Sequence, residues 1–178
     1  MEDGTEVKGQ FIQAFVESTG QVSSVFQEKT REIFENNGLD VDEIEADSWH
    51  DAHAYADAMH GVLEEVGKKT LQRASSHQAT IVPWPDHVET VPDGLAFIAD
   101  ADRQAHRSPS GDWDGSYDFE QIDDSTARVG IPEYSPYPVE NFRGVLEGGL
   151  EALSESTHAN VSDAEPRSDE KAAFEVNW

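Results

Sequence analysis

Three histidines and an aspartate recur at one-turn intervals near the middle of the chain, where together they could hold a metal ion. The four residues are His50, His53, Asp57 and His60. At these spacings their side chains would share one face of a helix. Neutral imidazoles and a carboxylate one turn apart can bind Zn²⁺, Ni²⁺ or Fe²⁺, although a further ligand must come from elsewhere and there is no His-Glu-x-x-His pattern. The same spacing also fits a solvated or partly buried helical face.

Aromatic residues stand in segments where proline or glycine predicts a loop. They are Trp84, Trp113, Tyr134 and Tyr137. Aromatic side chains in rigid loops line ligand pockets or partner surfaces, and they also serve as lids over an ordinary core. Both interpretations fit the sequence.

Nothing in the sequence identifies an enzyme. Adjacent acids such as Asp123-Asp124 occur throughout, so no pair is informative about acid–base catalysis. Ser135 has no nucleophile-elbow context, and no Ser-His-Asp set can be proposed. The chain has no cysteine, which excludes disulfides, thiolate catalysis and Cys-ligated metal sites. We therefore expect a non-catalytic protein.

The charge balance excludes two classes of partner. Thirty-seven acidic residues against twelve basic ones give a formal net charge of -25. Binding to DNA, RNA or anionic membranes depends on clustered Lys and Arg, so we expect neither nucleic acid nor a membrane. Dispersed acid with only five lysines is typical of cells that balance external salt with internal potassium chloride. In such cells the Debye length is about 3 Å at 1 M salt, so the repulsion between the acidic side chains of the protein is screened.

The ends of the chain and its apolar runs indicate where the protein resides. No apolar run approaches the length of a membrane span. The acidic start, Met1-Glu2-Asp3, lacks the features of a secretory signal. The expected location is cytoplasmic.

Apolar periodicity predicts four helices in the first hundred or so residues. Gly20 ends the first helix and Gly38 the second. Ser48 is a predicted N-cap for a long third helix, in which Gly61 and Gly67 mark a bend or a close packing contact. The predicted spans are 7–19, 22–37, 48–74 and 92–106.

After residue 115 the pattern changes to alternation. Strands are predicted at 117–122 and 127–131, a helix at 139–155, and a closing hairpin at 159–165 and 172–178. Hairpin pairs separated by one helix build a four-stranded antiparallel sheet. The fold class is thus α+β, with N-terminal helices packed on that sheet and β-β-α-β-β order in the C-terminal part. We expect one domain over 1–178, with a helical part at 5–106 and the β-β-α-β-β part at 115–178.

Glycines inside the predicted C-terminal helix have a packing role rather than a phosphate-binding one. Gly144, Gly148 and Gly149 lie within the periodic segment and lack a following Gly-Lys-Ser/Thr. They predict close packing of this helix on the sheet or on a second subunit.

The C-terminal part resembles a known superfamily. A strand that leads into Tyr134-Ser135-Pro136-Tyr137-Pro138, a small-residue helix from Phe142 to Leu153 and a last strand that ends in Trp178 follow in order. This order is similar to that of 4-vinyl-reductase domains, haem–nitric-oxide-binding (H-NOX) domains and related bacterial families. Trp49 and Ala105-His106-Arg107 fit the same layout in the helical part. The acid-rich composition resembles that of haloarchaeal proteins.

The resemblance implies a pocket between helices and sheet that senses a small molecule. In the H-NOX pattern His106 would be the axial haem ligand, and at a helix end it also suits the helix dipole as a cation. H-NOX domains carry a Tyr-x-Ser-x-Arg motif for the haem propionates, and the segment at 134–138 has no arginine at the matching place. The 4-vinyl-reductase domains commonly carry C-terminal cysteines, which this chain lacks.

Three hypotheses on function follow. The leading one is a non-catalytic sensor or regulatory domain that binds a small apolar ligand and acts on a signalling partner protein. The second is a homodimeric scaffold with a filled core, and the third is a haem or divalent-metal sensor that uses His106 or the His50–His60 face. The predicted ligand-binding residues are Trp49, Met59, Phe97, Tyr134, Tyr137 and Phe142.

Overall fold

Helices make up most of the first part of the chain. The computed structural model describes residues 1–81, 83–111, 113, 115–153 and 159–178. Thr90 is the N-cap that the sequence predicts and forms a capping box with Asp93. The second helix starts later than predicted, because Ser23 is its N-cap and accepts from the amide of Val25. Gly20 and Val22 lie within the first helix, so Gly20 does not end it. The helices are α1 (Gly9–Val22), α2 (Ser24–Asn36), α3 (Ala52–Glu65), α4 (Lys68–Ile81) and α5 (Val91–Ala105).

The long helix predicted at 48–74 is in fact two helices, α3 and α4. Gly67 adopts a left-handed backbone conformation with φ of 105° and separates them, which glycine does at little steric cost. The N-cap of α3 is Asp51, whose carboxylate accepts from the amide of His53 at 2.8 Å. Ser48 is therefore not the N-cap. Gly61 allows α3 to approach Ile33 of α2.

A small antiparallel sheet, which the sequence did not predict, joins three distant segments. Strands β1 (Glu6–Lys8), β2 (Trp49–Asp51) and β3 (His106–Arg107) pair in the order β2-β1-β3. Strands of two or three residues show no alternation to detect. This sheet corrects the predicted start of the first helix, because Val7 is a buried strand residue.

The second sheet confirms the predicted α+β class. Strands β4 (Asp118–Asp123), β5 (Thr126–Pro132), β6 (Asn160–Ala164) and β7 (Glu170–Asn177) are antiparallel in the order β4-β5-β7-β6, with α6 (Val139–Leu153) between the hairpins. Alternate residues such as Val129 and Phe174 face the core. The predicted end of the helix at 155 lies outside the described residues.

Helices α4 and α6 approach each other unusually closely because two glycines lie at their crossing. A Cβ atom on Gly148 would overlap the carbonyl oxygen of Ser76, and one on Gly144 would overlap that of Gln72. Gly149 faces Ile98 of α5 instead. These glycines therefore pack helix on helix within one chain, which corrects the prediction that they face the sheet or a second subunit.

The outer face of the second sheet carries an ion pair that is largely shielded from water. Arg128 donates to both carboxylate oxygens of Glu170, at 2.7 and 2.5 Å. The side chains are 15% and 8% exposed. The hydrogen bonds from Arg128 lower the pKa of Glu170 to about 2.

Among the described residues, no helix is long and apolar enough to cross a membrane.

The Gly148→Ala substitution should destabilise the protein by about 1 to 3 kcal/mol, the usual cost of overpacking a close contact. The added methyl group meets backbone of α4, which cannot rotate away as a side chain can. Urea unfolding followed by circular dichroism measures the change. Gly20→Ala is the matched control, because its methyl group meets only the flexible amide end of Gln27. Equal effects of the two variants would contradict the close α4–α6 contact.

The Arg128–Glu170 pair should give the protein an acid-sensitive component of stability. The pKa of Glu170 is depressed from 4.5 to about 2 in the folded state, so its contribution is present above pH 4.5 and is lost as the pH falls toward about 2. Glu170→Gln should cost about 3 kcal/mol near neutral pH, and its difference from wild type should shrink over that range. Glu120→Gln, which removes the exposed partner of Arg167, should change little. A constant difference at all pH values would refute this assignment.

Candidate ligand-binding site

A mostly apolar cavity of about 100 Å³ lies where α1, α3, α4, α5 and α6 meet. The position follows from the fold, because each of these helices turns an apolar stripe inward and the five stripes do not fill the space between them. Small side chains on α4 and α5 leave the room. These are Ala79 and Ala101, and the aromatic walls around them are Phe11, Tyr55, Trp84, Phe97 and Tyr117.

One corner of the cavity is polar and is built around a buried histidine. His106 follows the last residue of α5, and its Nδ1 lies 2.8 Å from the carbonyl oxygen of Asp102. Its Nε2 lies 2.6 Å from the hydroxyl of Tyr137. His106 and Tyr137 are 8% and 3% exposed. Both nitrogens of the imidazole are therefore engaged by groups of the chain itself.

The partners of His106 fix where the protons lie. A carbonyl oxygen only accepts, so Nδ1 carries the proton that is donated to Asp102. In the neutral ring Nε2 is then an acceptor, and the Tyr137 hydroxyl donates to it. Burial raises the pKa of Tyr137 well above its usual value, which keeps the hydroxyl protonated and able to donate.

Trp113 closes the polar corner from the loop side. Its ring stacks on the imidazole of His106 with centroids 4.4 Å apart. Its Nε1 donates to the carboxylate of Asp102 at 2.9 Å. The carboxylate at the edge of the cavity is therefore already bonded.

The segment that carries Tyr137 is held by basic side chains from two other elements. Lys171 of β7 donates to the carbonyl oxygens of Ser135 and Tyr137, each at 2.5 Å. His60 of α3 lies with Nε2 2.9 Å from the carbonyl oxygen of Pro136. Burial lowers the pKa of Lys171 to about 8. Three successive carbonyl groups thus tie the cavity wall to the sheet and to α3.

The six predicted ligand-binding residues do not form one group. Phe97 and Tyr137 line the cavity. Phe142 packs directly behind Tyr137, with ring centroids 6.4 Å apart, and Met59 is buried in the core. Their role in binding remains a prediction.

The other two predicted residues lie outside the cavity. Trp49 is in β2, and the guanidinium carbon of Arg107 lies over its ring, 4.5 Å from the ring centroid. Tyr134 is 54% exposed and lines a separate, polar hollow of about 360 Å³ that also contains Trp113 and Arg103.

Several lining residues were not singled out in the sequence. Phe11, Gln78 and Asn141 sit within ordinary amphipathic helices, and no spacing distinguishes them from their neighbours. Asp102 is one acid among thirty-seven. Only the resemblance pointed to His106, and it gave no reason to pair this residue with Tyr137.

The predicted metal-binding face is not one helical face. His50 lies in β2, before α3 begins at Ala52, and its Nε2 contacts the hydroxyl of Ser48 at 2.5 Å. His60 is turned toward Pro136. Within the described ranges, no three His, Asp or Glu side chains come close enough together to hold an ion.

Comparison with known proteins gives a likeness in structure alone. No protein-family model and no curated protein matches the sequence. Among solved structures, a mutant of the T. tengcongensis H-NOX domain matches with a TM-score of 0.64 at 12% identity, over 96% of each chain. An oxygen-binding H-NOX domain related to soluble guanylate cyclases, in its oxygen complex, matches with a TM-score of 0.61 at 10% identity, over 96% of this chain and 94% of that one.

A third solved structure, from work on haem redox potential and porphyrin distortion, matches with a TM-score of 0.64 at 11% identity, over 96% of this chain and 99% of that one. The chain therefore has an H-NOX-like fold. The predicted resemblance to H-NOX domains is confirmed at the level of the fold.

The residues around this cavity do not fit a haem group as they are arranged. Both nitrogens of His106 are already bonded, so neither is free for iron. Among the described residues, no lysine or arginine lines the cavity to pair with propionate groups, and Asp102 would repel them. The cavity of about 100 Å³ is also well below the roughly 300 to 1,000 Å³ of pockets for larger ligands.

Purified protein mixed with an equal amount of haemin should leave the absorbance spectrum of free haemin unchanged. The physical reason is that His106 would have to give up its bond to Tyr137 before it could reach iron. His106→Ala is the control and should give the same spectrum. A sharp, shifted Soret band in wild type that disappears in His106→Ala would show that His106 binds haem after all.

Proposed function

We propose that this chain is a non-catalytic sensor or regulatory domain that binds a small, uncharged, largely apolar ligand directly in the cavity described above. The observation that carries the proposal is an aromatic-walled cavity with a polar corner that is centred on His106 and Tyr137. A concave apolar space with a few convergent polar groups is the usual form of a small-molecule site. The H-NOX-like fold, which an oxygen-binding domain shares, supports a sensing role.

The size of the cavity limits the ligand to about one ring. An apolar protein cavity of about 150 Å³ binds benzene or xenon. A space of about 100 Å³ suits a single aromatic ring or a short aliphatic molecule, with slight adjustment of Phe97 or Trp84. Larger ligands would have to displace the helices themselves.

The charge of the lining limits the ligand further. Among the described residues that line the cavity there is no lysine or arginine, both nitrogens of His106 are engaged, and the carboxylate of Asp102 accepts from Trp113. An anion would find no partner, and burying an unpaired charge is costly. The ligand is therefore uncharged.

Tyr137 gives the ligand a connection to the protein surface. Its segment is fastened to Lys171 in β7 and to His60 in α3. A ligand that displaces Tyr137 would change the hydrogen bonds of this segment to Lys171 and His60. The displacement would also move Tyr134, which is exposed and lies in the same segment. We propose this segment as the contact for a signalling partner.

The setting that fits the composition is a salt-loaded cytoplasm. The formal charge of -25 is tolerated where salt screens repulsion. The scaffold and homodimer alternative has less support, because Gly144 and Gly148 pack against α4 of the same chain rather than against a second subunit. The divalent-metal alternative lacks a group of ligands among the described residues.

Toluene should bind wild-type protein and raise its melting temperature in concentrated potassium chloride. At a hundred times its Kd, a ligand adds about 2.7 kcal/mol to the free energy of unfolding. Ala101→Leu should abolish the effect because the added side chain fills the cavity, whereas Ala96→Leu on the same helix, outside the cavity, should keep it. Thermal unfolding with increasing toluene measures both. Equal responses in the two variants would place binding elsewhere.

A further inference from the structure

We infer that this cavity selects one-ring ligands that carry a hydrogen-bond donor, and that phenols are the simplest class of this kind. The inference rests on the proposed function, because it names the ligand class for the same cavity. It comes from the direction of the hydrogen bond between Tyr137 and His106.

The Tyr137 hydroxyl can offer a ligand only an acceptor. In the neutral imidazole its single proton goes to Nε2 of His106 at 2.6 Å, because Nδ1 of that ring carries the proton that is donated to a carbonyl group. The phenolic oxygen still has a lone pair. Since Tyr137 is only 3% exposed, a ligand that donates to this oxygen gives a partner to a group that has little contact with bulk water.

The neighbouring polar groups each have a partner within the chain. One carboxylate oxygen of Asp102 accepts from Trp113, and the other lies 3.7 Å from Nδ1 of His106. The side-chain oxygen of Asn141 accepts from Ser75 at 2.8 Å, and the side-chain amide of Gln78 donates to the backbone of Phe11 at 3.0 Å. A carboxylate can accept more than one hydrogen bond, so a phenol preference that persists in the double variant with Tyr137→Phe below would assign the ligand to Asp102 instead of Tyr137.

Acceptor-only ligands should be rejected by the same arrangement. A pyridine nitrogen placed at the polar corner would face the lone pair of the Tyr137 oxygen. It could accept a hydrogen bond from Tyr137 only if that residue turned its proton away from His106, which would leave the buried Nε2 unsatisfied. The His106–Tyr137 pair thus acts as a filter for hydrogen-bond direction.

The experiment compares ligands of nearly equal shape by isothermal titration calorimetry. Phenol and toluene have the same number of heavy atoms, and so do pyridine and benzene. In wild type, at mildly alkaline pH, the Kd of phenol should be roughly tenfold lower than that of toluene. A factor of this size corresponds to the free energy of one buried hydrogen bond. Pyridine should bind no more tightly than benzene.

Two variants test the direction of the bond. His106→Leu frees the Tyr137 proton, so pyridine should gain roughly tenfold over benzene. The double variant with Tyr137→Phe removes the hydroxyl as well and should abolish both preferences while toluene still binds. A merely structural role for His106 would not create a preference for pyridine.

The outcomes separate the two proposals. If toluene and benzene bind but phenol has no advantage in wild type, the selection for donors is wrong and the apolar site stands. If none of the four ligands binds wild type, the proposed function itself fails. Should His106→Leu fail to fold, the two ligand pairs on wild type still decide the inference.

Discussion

The close approach of α4 to α6 is the constraint on which the cavity depends. Where Gly148 meets the backbone of Ser76, two helices that are far apart in sequence lie nearly in contact. Because helices are rigid, this contact also fixes how far apart they lie at the cavity, where α4 supplies Ala79 and α6 supplies Val145. A wider crossing would enlarge the cavity, and a bulkier residue at the crossing would have to move whole helices.

An H-NOX-like fold does not by itself determine which ligand binds inside it, since a fold fixes the positions of side chains but not their chemical identity. The solved H-NOX domains that match include one that binds oxygen. In this chain the described cavity has aromatic walls, and the imidazole of His106 is hydrogen-bonded to Tyr137. Both ring nitrogens of His106 are therefore engaged within the chain. This arrangement is the basis for proposing that an organic molecule, rather than a haem group, occupies the cavity.

The sequence predicts elements well where a pattern is long, and poorly where it is short. The helices and the antiparallel sheet follow from periodicity and from capping residues such as Thr90. The break at Gly67 was anticipated only as a bend, since a glycine inside a helical pattern does not reveal its φ. The site was harder, because Phe11 and Asp102 are brought beside His106 by helix packing, which leaves no local signal.

Strand β7 lies inside the sheet, between β5 and β6, although β6 precedes it in the chain. A ribosome must therefore finish β7 before β5 gains its second neighbour and before Lys171 can reach the carbonyl groups of Ser135 and Tyr137. Until then the segment that carries Tyr137 lacks its bonds to the sheet. During synthesis this wall of the cavity is therefore fixed only after the second hairpin has been made.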